Sequence, residues 1–101
     1  MHVVAYRKEL GERYPDLPGA LFEFFEAART LAQRRWNDPN WSLLLWGKQS
    51  LENQHRLTER DPWTNGLEAN RKNIQDFARY SHEQGLTRRV LSPEELFASI
   101  G

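Results

Sequence analysis

The stretch from Asp61 to Leu86, DPWTNGLEANRKNIQDFARYSHEQGL, constrains the fold more than any other part of this chain. It carries a complete helix together with its start and its stop. Asp61-Pro62 closes whatever precedes it, because proline lacks an amide hydrogen and pushes its predecessor out of helical angles. Asn65-Gly66 is a turn pair, since both residues tolerate positive φ. From Leu67 the pattern turns helical. Leu67, Ile74, Phe77, Ala78 and Ser81 share one face, and Glu68, Arg71, Lys72, Gln75, Asp76, Arg79 and Glu83 lie elsewhere. Glu68 and Lys72 sit one turn apart as a charge pair. Gly85 supplies the left-handed residue beyond the helix end, and Leu86 can fold back on Tyr80 or Ser81 in a Schellman ending.

The rest of the chain is read outward from this helix. His2-Val3-Val4-Ala5-Tyr6 is a short apolar run without alternation, which predicts a strand over residues 1–7 buried on both faces. No other segment reads as a strand. A lone strand leaves its amides and carbonyls unpaired, and burying them so is costly. It must therefore pair with its copy in an oligomer, pair with chain upstream of Met1, or fail to form. Lys8 to Arg13 has room for a single helical turn.

A first long helix is predicted over 15–36, its start bracketed by Tyr14-Pro15 and Pro18-Gly19. Leu21, Phe24, Ala28 and Leu31 form one stripe, and Phe22, Phe25, Ala32 and Trp36 form a second. Together they make an apolar face too wide for one partner helix, expected to pack as core. Asn37-Asp38-Pro39-Asn40 is a turn. A second helix is predicted over 42–59, with Leu44, Leu51 and His55 on one stripe and Lys48, Glu52 and Arg56 outside. Gly47 within it signals close helix contact or a bend. The central helix is predicted over 67–84. Ser92-Pro93-Glu94-Glu95 then reads as a capping box with proline at the first helical position, opening a short helix over 92–98. The expected architecture is mainly α, a single helical segment over 1–101 of three long helices plus a short C-terminal one, with one short N-terminal strand.

Composition excludes several functions. Lys+Arg and Asp+Glu balance at 14 each, which removes the electrostatic basis for nucleic-acid binding. Cysteine is absent, so disulfides, thiolate metal sites and cysteine nucleophiles are out, and a cytoplasmic location is the expectation. MHVVAYRKEL has neither the apolar core nor the cleavage site of a signal peptide. No run approaches the roughly 18 apolar residues of a membrane span. The histidines His2, His55 and His82 do not cluster. Glu52-x-x-His55 places two ligand types on one helical face, but a di-metal bundle needs two such motifs and two further glutamates. No metal site and no cofactor are therefore expected.

Three blocks, DPWTNGLEANRKNI, RYSHEQGL and LSPEELF, resemble the C-terminal end of the 4,5-dihydroxyphthalate decarboxylase family. The likeness rests on Asp61, Pro62, Trp63, Gly66, Glu68, Asn70 and Arg71, then on Tyr80 with Glu83 to Leu86, then on Pro93 to Phe97. Asn65 stands where the family usually has tyrosine. MHVVAYRKELGERYP is similar to the family's hinge strand and the helix start that follows it. The resemblance covers nearly all of this chain and about the last third of a family member. It implies the C-terminal part of a two-lobed type II periplasmic-binding-protein-like α/β fold, and a Met1 that is either a true start or an internal methionine of a longer protein.

The implied activity is that of a carboxy-lyase, converting 4,5-dihydroxyphthalate to protocatechuate and CO2 in phthalate breakdown. The small aromatic acid would bind only the full-length protein, and the isolated segment would be inactive. Such chemistry needs cations to hold carboxylates and a group to protonate the ring carbon. Arg71 is the best cation candidate, following Asn70 in the first turns of a helix and just after a glycine turn, with Trp63 upstream. Trp63, Asn70 and Arg71 are the candidate ligand contacts; the alternative for Arg71 is a structural pair with Glu68 or a backbone carbonyl. Catalytic residues stay unassigned. Two other readings remain open. One is the helical segment of a solute-binding relative. The other is a non-enzymatic oligomerisation module, self-associating through the N-terminal strand and the aromatic helix faces (Phe22, Phe25, Trp36, Trp41, Trp46).

Overall fold

The computed structural model describes residues 2–58 and 61–100. It is mainly helical: α1 (Lys8–Arg13), α2 (Leu17–Asn37), α3 (Gly47–Leu57), α4 (Leu67–Glu83) and α5 (Pro93–Leu96). The chain resolves into two compact units, one built from Met1–Glu23 and Gly66–Gly101 and the other from Phe24–Asn65. The helical pattern of α2 runs on across the unit boundary, so periodicity alone carries no mark of the division.

The first unit is organised on α4. Ile74 and Ala78 are its buried apolar side chains, and Pro93 of α5 is buried as well. Among the described residues, α4 and α5 are the pair of helices in substantial direct contact. Gly66 precedes α4 with φ 96° and ψ 155°, a conformation essentially reserved for glycine. It also lies under the Phe22 ring: a Cβ there would stand 3.1 Å from Phe22 Cε2. α4 ends as a Schellman motif. Gly85 has φ 75°, the Leu86 amide donates to the Ser81 carbonyl, and the Gly85 amide donates to the His82 carbonyl. Leu86 itself stays exposed, so the hydrogen bonds rather than an apolar contact make this stop.

The strand expected over 1–7 is not formed. Met1 lies outside the described residues; among the described ones no strand occurs, and Val3 and Val4 are exposed. The physical reason is the one that made a lone strand suspect: no second strand offers a ladder. Tyr6 instead lies against Gly11 of α1, where an added Cβ would meet the tyrosine ring at 3.0 Å.

The second unit contains most of α2 and all of α3. The helix predicted over 42–59 begins at Gly47, and Glu59, its predicted end, lies outside the described residues. The late start has a local cause. Ser42 Oγ accepts the Leu44 amide at 3.2 Å, and the Leu44 carbonyl accepts the Gly47 amide at 3.1 Å. Serine thereby offers the backbone a turn in place of a helix. Gly47 is buried, and an added Cβ there would lie 2.5 Å from Ser42 Oγ. The predicted close contact at this glycine is thus with the preceding turn.

The wide apolar face of α2 does not become core. No residue of α2 is buried, and Phe24 is 65% exposed. Burial needs a second apolar surface, and none among the described residues covers Phe24, Phe25, Leu31 or Trp36 in full. Phe77 on α4 is likewise exposed rather than internal.

Candidate functional site

In the first unit, Asn70 and Arg71 lie in the opening turns of α4. The Asn70 side-chain amide donates to the Gly66 carbonyl at 2.9 Å and ties the glycine turn to the helix. Arg71 engages carboxylates from two elements. Its Nε and Nη2 donate to Glu68 at 3.2 and 2.6 Å, and its Nη1 donates to Glu94 of α5. This is the structural pairing weighed for Arg71 above, with Glu94 as a second carboxylate that spacing does not reveal. Glu68 and Glu94 are both held below the ordinary glutamate range, chiefly by their hydrogen bonds to Arg71. Arg71 is correspondingly held more firmly charged. Lys72, expected to pair with Glu68, instead donates to Asp76 at 2.6 Å. The guanidinium of Arg71 forks onto Glu68 one turn back, and a fork holds a carboxylate better than an ammonium does.

A second clasp holds α5 through Glu95. Arg89 donates through Nη2 and Nη1 to Glu95 at 2.6 and 3.0 Å. The Ser92 amide donates to Glu95 at 2.9 Å, closing the capping box. The Arg89 bond, followed by the Ser92 amide, takes the Glu95 carboxyl down to about 2. Consecutive glutamates at the start of one short helix are therefore each neutralised by an arginine.

Trp63 belongs to the other unit. Asp61 positions it: the Trp63 amide donates to Asp61 Oδ1 at 2.9 Å, the turn that an Asp-Pro pair favours. The other oxygen of Asp61 accepts from Arg29 and, at 2.9 Å, from Gln33, both on α2. Arg29 also forks onto Glu26, and Glu26 accepts from Asn65 at 2.8 Å. The hydrogen bond from Arg29, and then that from Asn65, keeps the Glu26 carboxyl below its usual range. This network joins residues up to 39 apart in sequence, and no local pattern announces it. Asp61 and Pro62 read only as a stop; Asp61 is also the anchor of the 61–65 segment.

Beside this network runs an open groove of about 860 Å³, lined by Trp36, Leu44, Leu51, His55, Trp63 and others, with Arg29 and Gln33 on its wall. It is predominantly apolar, and its cation is already paired. Among the described residues no group of three or more His, Asp or Glu side chains could hold a metal ion, and no helix is long and apolar enough to cross a membrane. The site residues expected from sequence thus divide. Asn70 and Arg71 come together in one unit, and Trp63 sits in the other.

Taken together these features define a helical segment rich in arginine–carboxylate clasps and in uncovered apolar side chains. Comparison with known proteins gives the segment a particular relative. The chain is 36% identical over 99 residues to 4,5-dihydroxyphthalate decarboxylase of Comamonas testosteroni, a match that covers 96% of this chain and 30% of that enzyme. The resemblance to that family is borne out over nearly all of the chain, while the chain spans less than a third of the relative's length. No family model and no solved structure matches.

Proposed function

We propose that this chain is the C-terminal segment of a 4,5-dihydroxyphthalate decarboxylase-like protein, and that the whole protein releases CO2 from 4,5-dihydroxyphthalate to give protocatechuate in the cytoplasm. The observation that carries this reading is the 36% identity sustained over 96% of the chain. Two features support the proposal that the isolated segment is inactive. The segment matches only 30% of the relative, and Arg71 is engaged by Glu68 and Glu94 rather than open to a substrate carboxylate. In the whole protein, of type II periplasmic-binding-protein-like architecture in this reading, Trp63, Asn70 and Arg71 contact the aromatic acid.

The test is a chimera in which this chain replaces the matching stretch of the Comamonas testosteroni enzyme. CO2 release from 4,5-dihydroxyphthalate is expected from the chimera and not from the chain alone. A folded chimera that binds the substrate without decarboxylating it would favour the solute-binding relative. A folded chimera that does neither would remove the enzymatic reading.

A second reading, a helical module that associates with itself, is favoured by a separate observation. Phe24, Phe25, Leu31 and Trp36 on α2 and Trp41 and Trp46 beyond it are all exposed.

A further inference from the structure

From the exposure of one loop we infer that residues 43–46 form an interface between two copies of this chain. The inference rests on the self-association reading and moves the contact from the helix faces to the loop before α3. Leu43, Leu44, Leu45 and Trp46 are exposed to 101%, 66%, 87% and 68%. Four consecutive large apolar side chains in water are a strong departure from ordinary surfaces. The cause is the Ser42 turn, which takes these residues out of the predicted helix and turns all four outward.

Trp36 and Trp41 extend the patch. Their rings meet edge to face at 5.3 Å, and Trp36 lines a shallow hollow of about 280 Å³ together with Leu44 and Leu45. The six side chains offer on the order of 700 Å², taking about 150–200 Å² for each large side chain fully exposed. A stable pairwise interface removes about 600–1,000 Å² from each partner, so this patch, covered in full, reaches the lower part of that range. The patch is also self-compatible. No charged residue occurs from Pro39 to Gly47, and the net charge of the chain is zero. The loop itself therefore brings no like charges together. Asp38, Lys48 and Glu52 also line the hollow, with Lys48 and Glu52 3.9 Å apart, so the charges that border the patch are of both signs.

The experiment is sedimentation equilibrium of the chain from about 1 to 200 µM, with tryptophan emission recorded in parallel. A monomer–dimer equilibrium is expected, with a blue shift as the dimer forms. Leu43→Asp should weaken the dimer at least about tenfold and leave the far-ultraviolet circular dichroism unchanged, because a side chain exposed to 101% holds nothing within its own copy. Leu45→Asp should do the same. A monomer across the whole range, a polydisperse aggregate, or a dimer indifferent to both substitutions would overturn the inference. So would a monomeric chimera with the Comamonas testosteroni enzyme in which amides 43–46 become protected from exchange, since the covering surface would then be the rest of that polypeptide. CO2 release by the chimera tests the decarboxylase reading separately, so either proposal can fail while the other stands.

Discussion

Replacing Gly66 by alanine tests the account of how α4 begins. Two costs combine at this position. The backbone has φ 96° and ψ 155°, a region that L side chains occupy at a cost of about 1–3 kcal/mol. The new methyl would also stand 3.1 Å from Phe22 Cε2, so the ring must give by a few tenths of an ångström. Gly66→Ala should therefore destabilise this unit by about 2–3 kcal/mol, a factor of roughly 30 to 150 in the local opening equilibrium. Two other glycines serve as controls. Gly85 also has a positive φ, 75°, but nothing lies within 4 Å of its would-be Cβ, so Gly85→Ala should cost only the left-handed penalty of about 1–2 kcal/mol. Gly19 lies inside α2 at an ordinary φ, also with open space around it. Gly19→Ala should stabilise by about 0.5–1 kcal/mol. The assay is hydrogen exchange of the α4 amides and of the α2 amides up to Glu23 at several urea concentrations, which reads the unit that holds all three glycines. If Gly66→Ala cost no more than Gly85→Ala, Phe22 would not be confining the turn. If it cost nothing, the described backbone at Gly66 would be wrong.

Acid should release α5. Glu68, Glu94 and Glu95 all have folded values below the ordinary 4.5, so the stability they contribute is complete above that pH and is lost as pH falls, over a range that reaches about 2 for Glu95. Carboxyl chemical shifts against pH should show Glu95 titrating last, and loss of exchange protection at Phe97 should follow it. Ser42→Ala and Gly47→Ala should be coupled: Gly47→Ala alone is near neutral, the small gain from a better helix former at the first residue of α3 being offset as Ser42 Oγ is driven from the Leu44 amide. In a Ser42→Ala background the same change should stabilise, and a double-mutant cycle by urea denaturation would measure the difference. Ser92→Ala should cost the last helix about 0.5–2 kcal/mol, read from exchange at Glu95 and Phe97. Amides of residues 3–6 should exchange at nearly unprotected rates; protection there would show that the run has found a strand partner.

The helices themselves were largely legible in the sequence. Gly66 and Gly85 bracket α4, and Ser92 to Glu95 announce α5, because caps and left-handed residues act over three or four positions and leave their signature in the local order of residues. The candidate site was legible only in part. Arg71 stood out as a cation at a helix start, and its pairing with Glu68 follows from spacing, yet its second partner, Glu94, lies 23 residues away. Asp61, Arg29 and Glu26 form a network that no periodicity encodes.

Helix positions and their stops, the neutrality of the chain, and the likeness to the decarboxylase family all follow from the order of residues alone. Which apolar side chains end up covered did not follow. Hydrophobic periodicity states a demand for burial, and only tertiary contact meets it. On α4 the demand was met at Ile74 and Ala78. On α2 it is met only in part, Phe24, Phe25, Leu31 and Trp36 staying exposed, and in the turn that Ser42 draws out of the expected helix Leu43 to Trp46 stay exposed too and free for a partner.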